Sequence, residues 1–180
     1  SMALKNKKPI ELVVDCDANL PCGLYGDEKK IRRVIMNFVS NALKFTSEGS
    51  VKISISGRKE AYGLNLCVSV TDTGIGIKEE NLEKLFSSFS QVDTKRSRQE
   101  GGIGLGLALS QNIVQKMGGV ITVKSKYGKG TTIQFVIPQK VVDEQPVISV
   151  KKPESLNIGV YLNIEQFGIT EMRDDYVGAI

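Results

Sequence analysis

The sequence predicts an α+β fold, because it contains both amphipathic helical patterns and strands of alternating polarity. Apolar residues recur at helical spacing between positions 31 and 42, and they alternate with polar residues between positions 51 and 70. Two glycine clusters, Asp72–Gly76 and Gly101–Gly106, mark sharp turns between such segments. With 180 residues, 41% of them hydrophobic, the chain is long enough for one domain with a core and some further residues.

The composition argues against several classes of protein. The net charge of +4 arises from scattered basic residues and gives little support to nucleic-acid binding. No apolar run approaches the ~20 residues of a membrane-spanning helix, and no signal-peptide pattern is present. The three cysteines form no CxxC pair, so we expect no zinc site and a reduced, cytoplasmic setting. The chain has no histidine, which excludes an imidazole base, metal ligand or phosphoacceptor within it.

The first elements predicted are a strand, a loop and a long helix. Residues 1–8 are expected to be a cloning remnant and a lead-in, and Ile10–Val14 a short strand. A loop with Pro21 and Gly23 should follow. Asp27 is the predicted N-cap of the helix, whose apolar residues all lie on one face. These residues are Ile31, Val34, Ile35, Phe38, Val39 and Ala42.

The same helix carries a polar stripe beside its apolar face. Asn37, Asn41 and Lys44 stand at positions i, i+4 and i+7, so they share one line along the helix. Asparagine forms helices poorly, so two asparagines one turn apart require a reason. Either the stripe is a solvated face that tolerates asparagine, or its amide oxygens face a cation such as Mg²⁺ and Lys44 faces phosphates.

Two strands are predicted next, as a hairpin around Lys59–Gly63. Residues 51–55 and 64–70 both alternate between apolar and polar side chains. This alternation places Asp72 on the core-facing side at the end of the second strand, where a carboxylate must find hydrogen-bond donors. Asp72 is therefore either the cap of the following Gly-x-Gly turn or the acceptor for a ligand's amino group in an apolar pocket.

A short helix, a charged loop and a second long helix are predicted after this turn. The short helix covers Glu79–Phe86, and the long helix covers Leu105–Lys116. The loop Ser90–Glu100 has no apolar residue after Val92, so it is expected to be mobile without a ligand. Gly118 and the glycine after it should cap the long helix.

The chain then predicts a last hairpin followed by a linker. Strands at 120–125 and 131–137 should be joined across residues 126–130, and Pro138 should end the second strand. The composition of Gln139–Ser155 shifts toward Lys, Glu, Asp and Pro, which is typical of a linker. Leu156–Leu162 predicts another strand and Ile164–Asp174 a helix. These residues are too few for a domain, so they either begin a following one or dock on the main body.

Four motifs occur together and in order, and with them the chain resembles the catalytic and ATP-binding domain of sensor histidine kinases. This superfamily also contains DNA gyrase, heat-shock chaperone and mismatch-repair ATPases. Over residues 9–140, Val34–Thr46 resembles the N box, Asp72–Gly76 the G1 box, Phe86–Phe89 the F box and Gly102–Gly106 the G2 box. The resemblance implies a two-layer α/β sandwich with a mixed sheet of about five strands, three covering helices and a mobile ATP lid.

The resemblance also implies a role for each site residue. Three residues would be catalytic: Asn41 would bind Mg²⁺, and Asn37 and Lys44 would lie beside the phosphates. Asp72 would bind the adenine amino group. Gly74 and Gly76 would leave room for the base. The other nucleotide-binding positions are Ile77, Phe86, Arg98, Gly102, Gly104, Leu105 and Gly106. Ile103 departs from the family pattern, which usually has Thr or Ser there.

The function implied is that of an ATP-binding kinase fragment. It would bind Mg²⁺ and ATP and donate the γ-phosphoryl group to a histidine on an upstream dimerisation domain, for later transfer to a response regulator receiver. Asn37 stands where hydrolytic relatives have a water-activating glutamate, and an amide cannot take up a proton near neutral pH. The alternatives are a hydrolytic ATPase of the same superfamily and a nucleotide-binding module without catalysis.

This interpretation also sets the expected domain organisation. The ATP-binding domain would span residues 9–140 and a linker residues 141–155. Residues 156–180 would begin a following domain, which would be receiver-like if the protein is a hybrid kinase. We expect no contact of this fragment with a membrane or with nucleic acid.

Overall fold

The computed structural model describes residues 9–82, 85 and 106–148 of the chain. The described elements comprise six strands and three helices. In chain order they are β1 (Ile10–Cys16), β2 (Pro21–Tyr25), α1 (Glu28–Phe45), β3 (Gly49–Glu60), β4 (Gly63–Asp72), α2 (Glu79–Leu82), α3 (Gly106–Lys116), β5 (Val120–Lys126) and β6 (Gly130–Pro146).

The six strands form one mixed sheet with the order β1-β3-β4-β6-β2, and β5 pairs with β6 as well. β1 runs parallel to β3, whereas the other pairs are antiparallel. β3 and β4 form the predicted hairpin, and Glu60 pairs with Gly63 at its closed end. The mixed sheet confirms the predicted class and has one strand more than the five expected.

One face of the sheet packs against α1 and α3, which creates the core. Val34 and Phe38 of α1 and Val114 of α3 are fully buried against inward residues of the strands. The rings of Phe38 and Phe135 meet edge to face with their centroids 6.1 Å apart. The two layers therefore agree with the predicted α/β sandwich.

The ends of the two long helices follow the sequence signals. Asp27 caps α1, since its Oδ1 accepts a hydrogen bond from the Lys30 N–H at 3.1 Å. After α3, Gly118 adopts a φ of 75°, and the Gly119 N–H donates to the Val114 carbonyl at 2.9 Å. This is the expected glycine cap. Of the short helix predicted at 79–86, the structure describes Glu79–Leu82 as helical, and the rest lies outside the described elements.

Two sequence expectations about strands are wrong. The segment with Pro21 and Gly23 is strand β2 rather than a loop, and β6 continues through Pro138 to Pro146. Pro138 is tolerated because its backbone nitrogen faces the side of β5, and β5 begins opposite Val136. No ladder hydrogen bond is therefore lost at this position.

The polar residues 139–146, expected to belong to a linker, form the part of β6 that pairs with β2. Charged residues are common in strands at the edge of a sheet, so their composition alone resembled that of a linker. Beyond β6, the Val147 N–H donates to the Leu20 carbonyl at 2.7 Å. The remaining linker and the predicted strand and helix at 156–174 lie outside the described residues.

Within the described ranges, no helix combines the length and the apolar character needed to cross a bilayer.

Candidate functional site

The polar stripe of α1 contacts α3 at Asn37. Asn37, Asn41 and Lys44 are all half-buried, so the stripe is not simply a solvated face. The Asn37 Nδ2 donates a hydrogen bond to the Ser110 Oγ of α3 at 2.9 Å. The Lys44 Nζ lies 5.5 Å from the centroid of the Phe45 ring.

Gly106 and Ser110 stand one turn apart on α3 and both face Asn37. A Cβ added to Gly106 would overlap the Asn37 Oδ1, so α3 begins directly against this amide. Ser110 is 3% exposed, and its hydroxyl accepts the amide hydrogen bond. The two helices therefore fix both ends of the Asn37 amide, with a hydroxyl at Nδ2 and a glycine that leaves room at Oδ1.

Asn37 and Gly106 are predicted from the sequence, whereas Ser110 is not. The serine is four residues after the last glycine of the second cluster, so it shares a face of α3 with Gly106. That spacing alone does not indicate a partner. The role of Ser110 becomes visible only when α1 is placed beside α3.

Asp72 ends β4 and is 9% exposed. Its Oδ1 accepts a hydrogen bond from the Gly74 N–H at 2.8 Å, so the carboxylate caps the turn after β4. Burial raises the pKa of Asp72, and hydrogen bonds from the backbone of Gly74 and Thr131 offset part of this increase. The chain itself therefore supplies hydrogen-bond donors to this buried carboxylate, and its Oδ1 is the oxygen that caps the turn.

The turn after β4 lies between the end of α1 and the β5–β6 turn. The Ile75 N–H donates to the Phe45 carbonyl at 3.3 Å, and the Ile75 carbonyl accepts from the Gly128 N–H at 2.8 Å. The Ile77 N–H donates to the Ser125 Oγ, also at 2.8 Å. This turn is therefore fixed on both sides by the chain itself.

The two glycines of this turn are required by close backbone contacts. A Cβ on Gly74 would lie 2.5 Å from the Phe45 carbonyl oxygen. Gly76 has a φ of 65°, and a Cβ there would overlap the Lys126 carbonyl oxygen. The predicted role of these glycines in leaving room for a base stays a prediction, because packing of the chain already accounts for both.

The described site residues are connected through α1 and the turn after β4. Phe45, next to Lys44, contacts the turn that Asp72 caps, so the polar stripe and the carboxylate are linked through the end of α1. The other predicted positions, together with the loop 90–100, lie outside the described residues. They are Phe86, Arg98, Gly102, Gly104 and Leu105.

The described side chains fit a metal ion that is coordinated mainly by nucleotide phosphates and water rather than by the protein. Among them there is no group of three or more His, Cys, Asp or Glu residues that could hold a metal ion. Mg²⁺ in nucleotide sites usually keeps several waters and needs only one or two protein oxygens besides the phosphates. The amide oxygen of Asn41 on the half-buried stripe is a donor of the required kind.

Comparison with known proteins gives consistent matches. The model of the family described as "Histidine kinase-, DNA gyrase B-, and HSP90-like ATPase" matches residues 26–141. The hybrid signal transduction histidine kinase B of Dictyostelium discoideum is 36% identical over 92% of this chain and 8% of its own length. The sensor protein GacS of Pseudomonas syringae pv. syringae is 40% identical over 84% of this chain and 16% of its own length. The chain therefore spans less than a fifth of these relatives.

Solved structures show the same likeness. Full-length ShkA in complex with AMPPNP matches with a TM-score of 0.65 and 31% identity, over 76% of this chain and 27% of that protein. The nucleotide-free catalytic domain of the histidine kinase ThkA matches with a TM-score of 0.60 and 29% identity, over 77% of this chain and 86% of that one.

Proposed function

Because this chain belongs to the family of histidine kinase-, DNA gyrase B- and HSP90-like ATPases, we propose that it is the ATP-binding catalytic domain of a two-component sensor protein-histidine kinase. Membership confirms the resemblance drawn from the motifs. The observation that carries the proposal is the fixed amide of Asn37. An amide held by Ser110 at this position cannot act as a base toward water, which favours a kinase over a hydrolase.

Asp72 would select the base of the nucleotide. With Oδ1 occupied by the Gly74 N–H, the second carboxylate oxygen would accept a hydrogen bond from the adenine amino group. A carboxylate that only accepts hydrogen bonds would disfavour the carbonyl that guanine has at the same ring position.

Asn41 and Lys44 would act at the phosphate end. Mg²⁺ would neutralise charge on the phosphates, and the Asn41 amide oxygen would hold it at α1. The Lys44 ammonium would contribute further positive charge near the transferred group. The residues would therefore act by positioning and charge neutralisation rather than by covalent chemistry.

The phosphoacceptor would belong to another part of the protein. The chain contains no histidine, so the γ-phosphoryl group would pass to a histidine on a dimerisation domain outside it. A response regulator receiver would take the group in turn. Two of the similar relatives are named hybrid histidine kinases, which supports a two-component role.

Calorimetry and turnover measurements on the 180-residue chain test this proposal. We expect it to bind ATP more tightly with Mg²⁺ than without, to show negligible hydrolysis and to incorporate no phosphate by itself. Steady hydrolysis near ~1 s⁻¹, an ordinary enzymatic turnover, would indicate the hydrolytic alternative. Absence of nucleotide binding would contradict both enzymatic alternatives and favour a module that only binds partners.

Replacement of Asn41 by alanine is a sharper test of the metal site. We expect N41A to lose about tenfold or more of the Mg²⁺-dependent part of ATP affinity, because a contact to a charged group is typically worth roughly 1.5–3 kcal/mol. Ser40 is the neighbouring exposed residue of α1, so S40A is the matched control and should bind as the unmodified chain does. Equal Mg²⁺ dependence in N41A and S40A would remove Asn41 from the metal site.

A further inference from the structure

The helix-side face of the sheet continues onto the edge strand β1 with exposed apolar side chains. Leu12 lies beside Val51 in the parallel pair, and Val14 lies beside Ile53. Val51 is fully buried, whereas Leu12 is 48% exposed and Val14 is 61% exposed. The apolar face of the sheet, which is buried at Val51, therefore continues onto β1, where the described helices leave Leu12 and Val14 exposed.

The same residues of β1 offer their backbone to a further strand. The Pro9 carbonyl accepts from the Gly49 N–H at 3.1 Å, and the Asp17 N–H donates to the Ile55 carbonyl at 2.9 Å. The backbone N–H and carbonyl groups of the odd-numbered residues of β1 thus point toward β3, since these groups alternate in direction along a strand. The N–H and carbonyl groups of Leu12 and Val14 point to the opposite side, where none of the described strands pairs. An open edge of this kind is a template for another strand.

The described chain ends close to this edge. The Ile148 N–H donates to the Ala18 carbonyl at 3.4 Å, and Ala18 lies two residues after Cys16, the end of β1. Residues 149–155 follow, and seven extended residues span about 23–25 Å. This length is ample to bring residue 156 to the C-terminal end of β1.

The sequence that follows alternates strictly in polarity. Every second residue from 156 to 164 is a large apolar one, and the residues between them are Asn, Gly or Tyr. The apolar residues are Leu156, Ile158, Val160, Leu162 and Ile164. A strand buried on one face has this pattern, whereas the central strand of a parallel sheet reads as a continuous apolar run.

We propose that residues 156–164 pair with β1 as an antiparallel seventh strand that covers Leu12 and Val14. The direction follows from the exit of the chain, since a segment that reaches the C-terminal end of β1 first must run back along it. Main-chain hydrogen bonds to the even-numbered residues would hold this strand, and its apolar side chains would lie on the helix side of the sheet.

This pairing has a consequence that rests on the proposed function. Residue 164 would end beside Ile10, where the chain enters the domain. The segment that follows residue 164 would then start near the segment that leads from the dimerisation domain. The seventh strand would therefore bring the upstream and downstream parts of a sensor kinase to one corner of the ATP-binding domain.

Hydrogen exchange on the 180-residue chain tests the pairing. We expect the amides of Leu12 and Val14 to exchange at least tenfold faster in V160K than in the unmodified chain. A lysine on the apolar face would detach residues 156–164 from β1 and leave these amides without their hydrogen bonds. Y161K is the matched control, since Tyr161 would lie on the other face of the proposed strand, and it should keep the slow exchange. In each protein the amides of the β3–β4 hairpin report that the domain is folded.

A second variant tests the pairing from the side of β1. Val14→Lys should raise exchange at residues 158–162, whereas Val142→Lys, at a β6 position 67% exposed, should not. Fast exchange of Leu12 and Val14 in the unmodified chain would overturn the proposal and leave residues 156–164 to a separate domain. Protection of these amides that disappears on dilution would also overturn it, because the occupant would then be a second copy of the chain.

Discussion

Asp72 serves the fold and the proposed ligand with one carboxyl group. Asparagine at this position would keep an oxygen for the Gly74 N–H and would place an amide where the charged acceptor stands. We expect D72N to fold normally, to bind ATP more weakly by roughly 1.5–3 kcal/mol and to discriminate less against GTP. Isothermal titration with both nucleotides measures the two effects.

The matched control for this substitution is D143N, since Asp143 lies on β6 at the distant β2 pair. It should leave both affinities unchanged. If D72N keeps its ATP affinity within twofold and still rejects GTP, Asp72 is only the cap of its turn.

Burial of Asp72 also predicts a dependence on pH. Its pKa in the folded protein is raised by burial, so the folded state favours the neutral carboxyl more than the unfolded state does. Above the raised pKa, burial of the ionised carboxylate lowers the free energy of unfolding by its full amount. This loss of stability becomes smaller as the pH falls through the raised pKa toward the ordinary value of about 3.9. Acidification should therefore lessen one source of instability in this window.

ATP affinity should change in the opposite sense, because the proposed acceptor is the ionised carboxylate. We expect the affinity ratio of the unmodified chain to D72N to decrease as the pH falls through the raised pKa of Asp72. Titrations at several pH values, with both proteins in the same buffers, measure this ratio. A ratio that is constant over the window would show that ionisation of Asp72 does not affect binding.

At the scale of elements, the contact between α1 and α3 determines the orientation of Asn37. A methyl group at Gly106 would overlap the Asn37 Oδ1, so G106A should weaken Mg-ATP binding and cost about 1–3 kcal/mol of unfolding free energy. Chemical denaturation and calorimetry measure the two quantities.

A double-mutant cycle identifies the cause of this loss. In a background with Asn37→Ala the overlap is absent, so G106A should cost clearly less stability there than in the unmodified chain. Equal costs in both backgrounds would show that an overlap other than that with Asn37 accounts for the effect, because alanine by itself favours the helix more than glycine does.

Elements with a long periodic pattern were predicted from the sequence. α1 and the β3–β4 hairpin repeat their apolar residues over many positions, and Asp27 adds a local start signal. β2 and the end of β6 were missed because Pro21, Pro138 and the charged residues 139–146 resemble turn and linker sequences. Their strand structure depends on pairing between distant segments, which leaves no local signal.

The site was predicted where its residues form a motif and was missed where they depend on a neighbour. The Asn37–Asn41 stripe and Asp72 were found because a polar residue at a helix boundary or at a strand end contradicts the surrounding pattern. Ser110 was missed because a serine in a helix is ordinary until its partner is known. The packing reason for Gly74 also depends on a contact with the distant Phe45.

At the scale of the molecule, the pairing of β2 with β6 joins the first part of the domain to its last strand. Gly23 lies against Asp143, and a Cβ there would approach the Asp143 Cβ to 2.7 Å. We therefore expect G23A to separate β2 from β6 and to lower the free energy of unfolding by about 1–3 kcal/mol. Thermal and urea unfolding measure the loss, and T122A, at an exposed position of β5, is the control.

The pairing of β2 with β6 also sets an order in time for a chain emerging from the ribosome. Tyr25 of β2 pairs with Lys140 of β6, so β2 meets its partner among the described strands only when almost the whole domain has been synthesised. At about 5–20 residues per second, the ~115 residues between the two take roughly 6–23 s to appear. During that interval Leu20, which is buried next to β2 in the finished fold, would stay partly exposed to solvent. The nascent domain would therefore present this apolar end to chaperones until its last strand arrives.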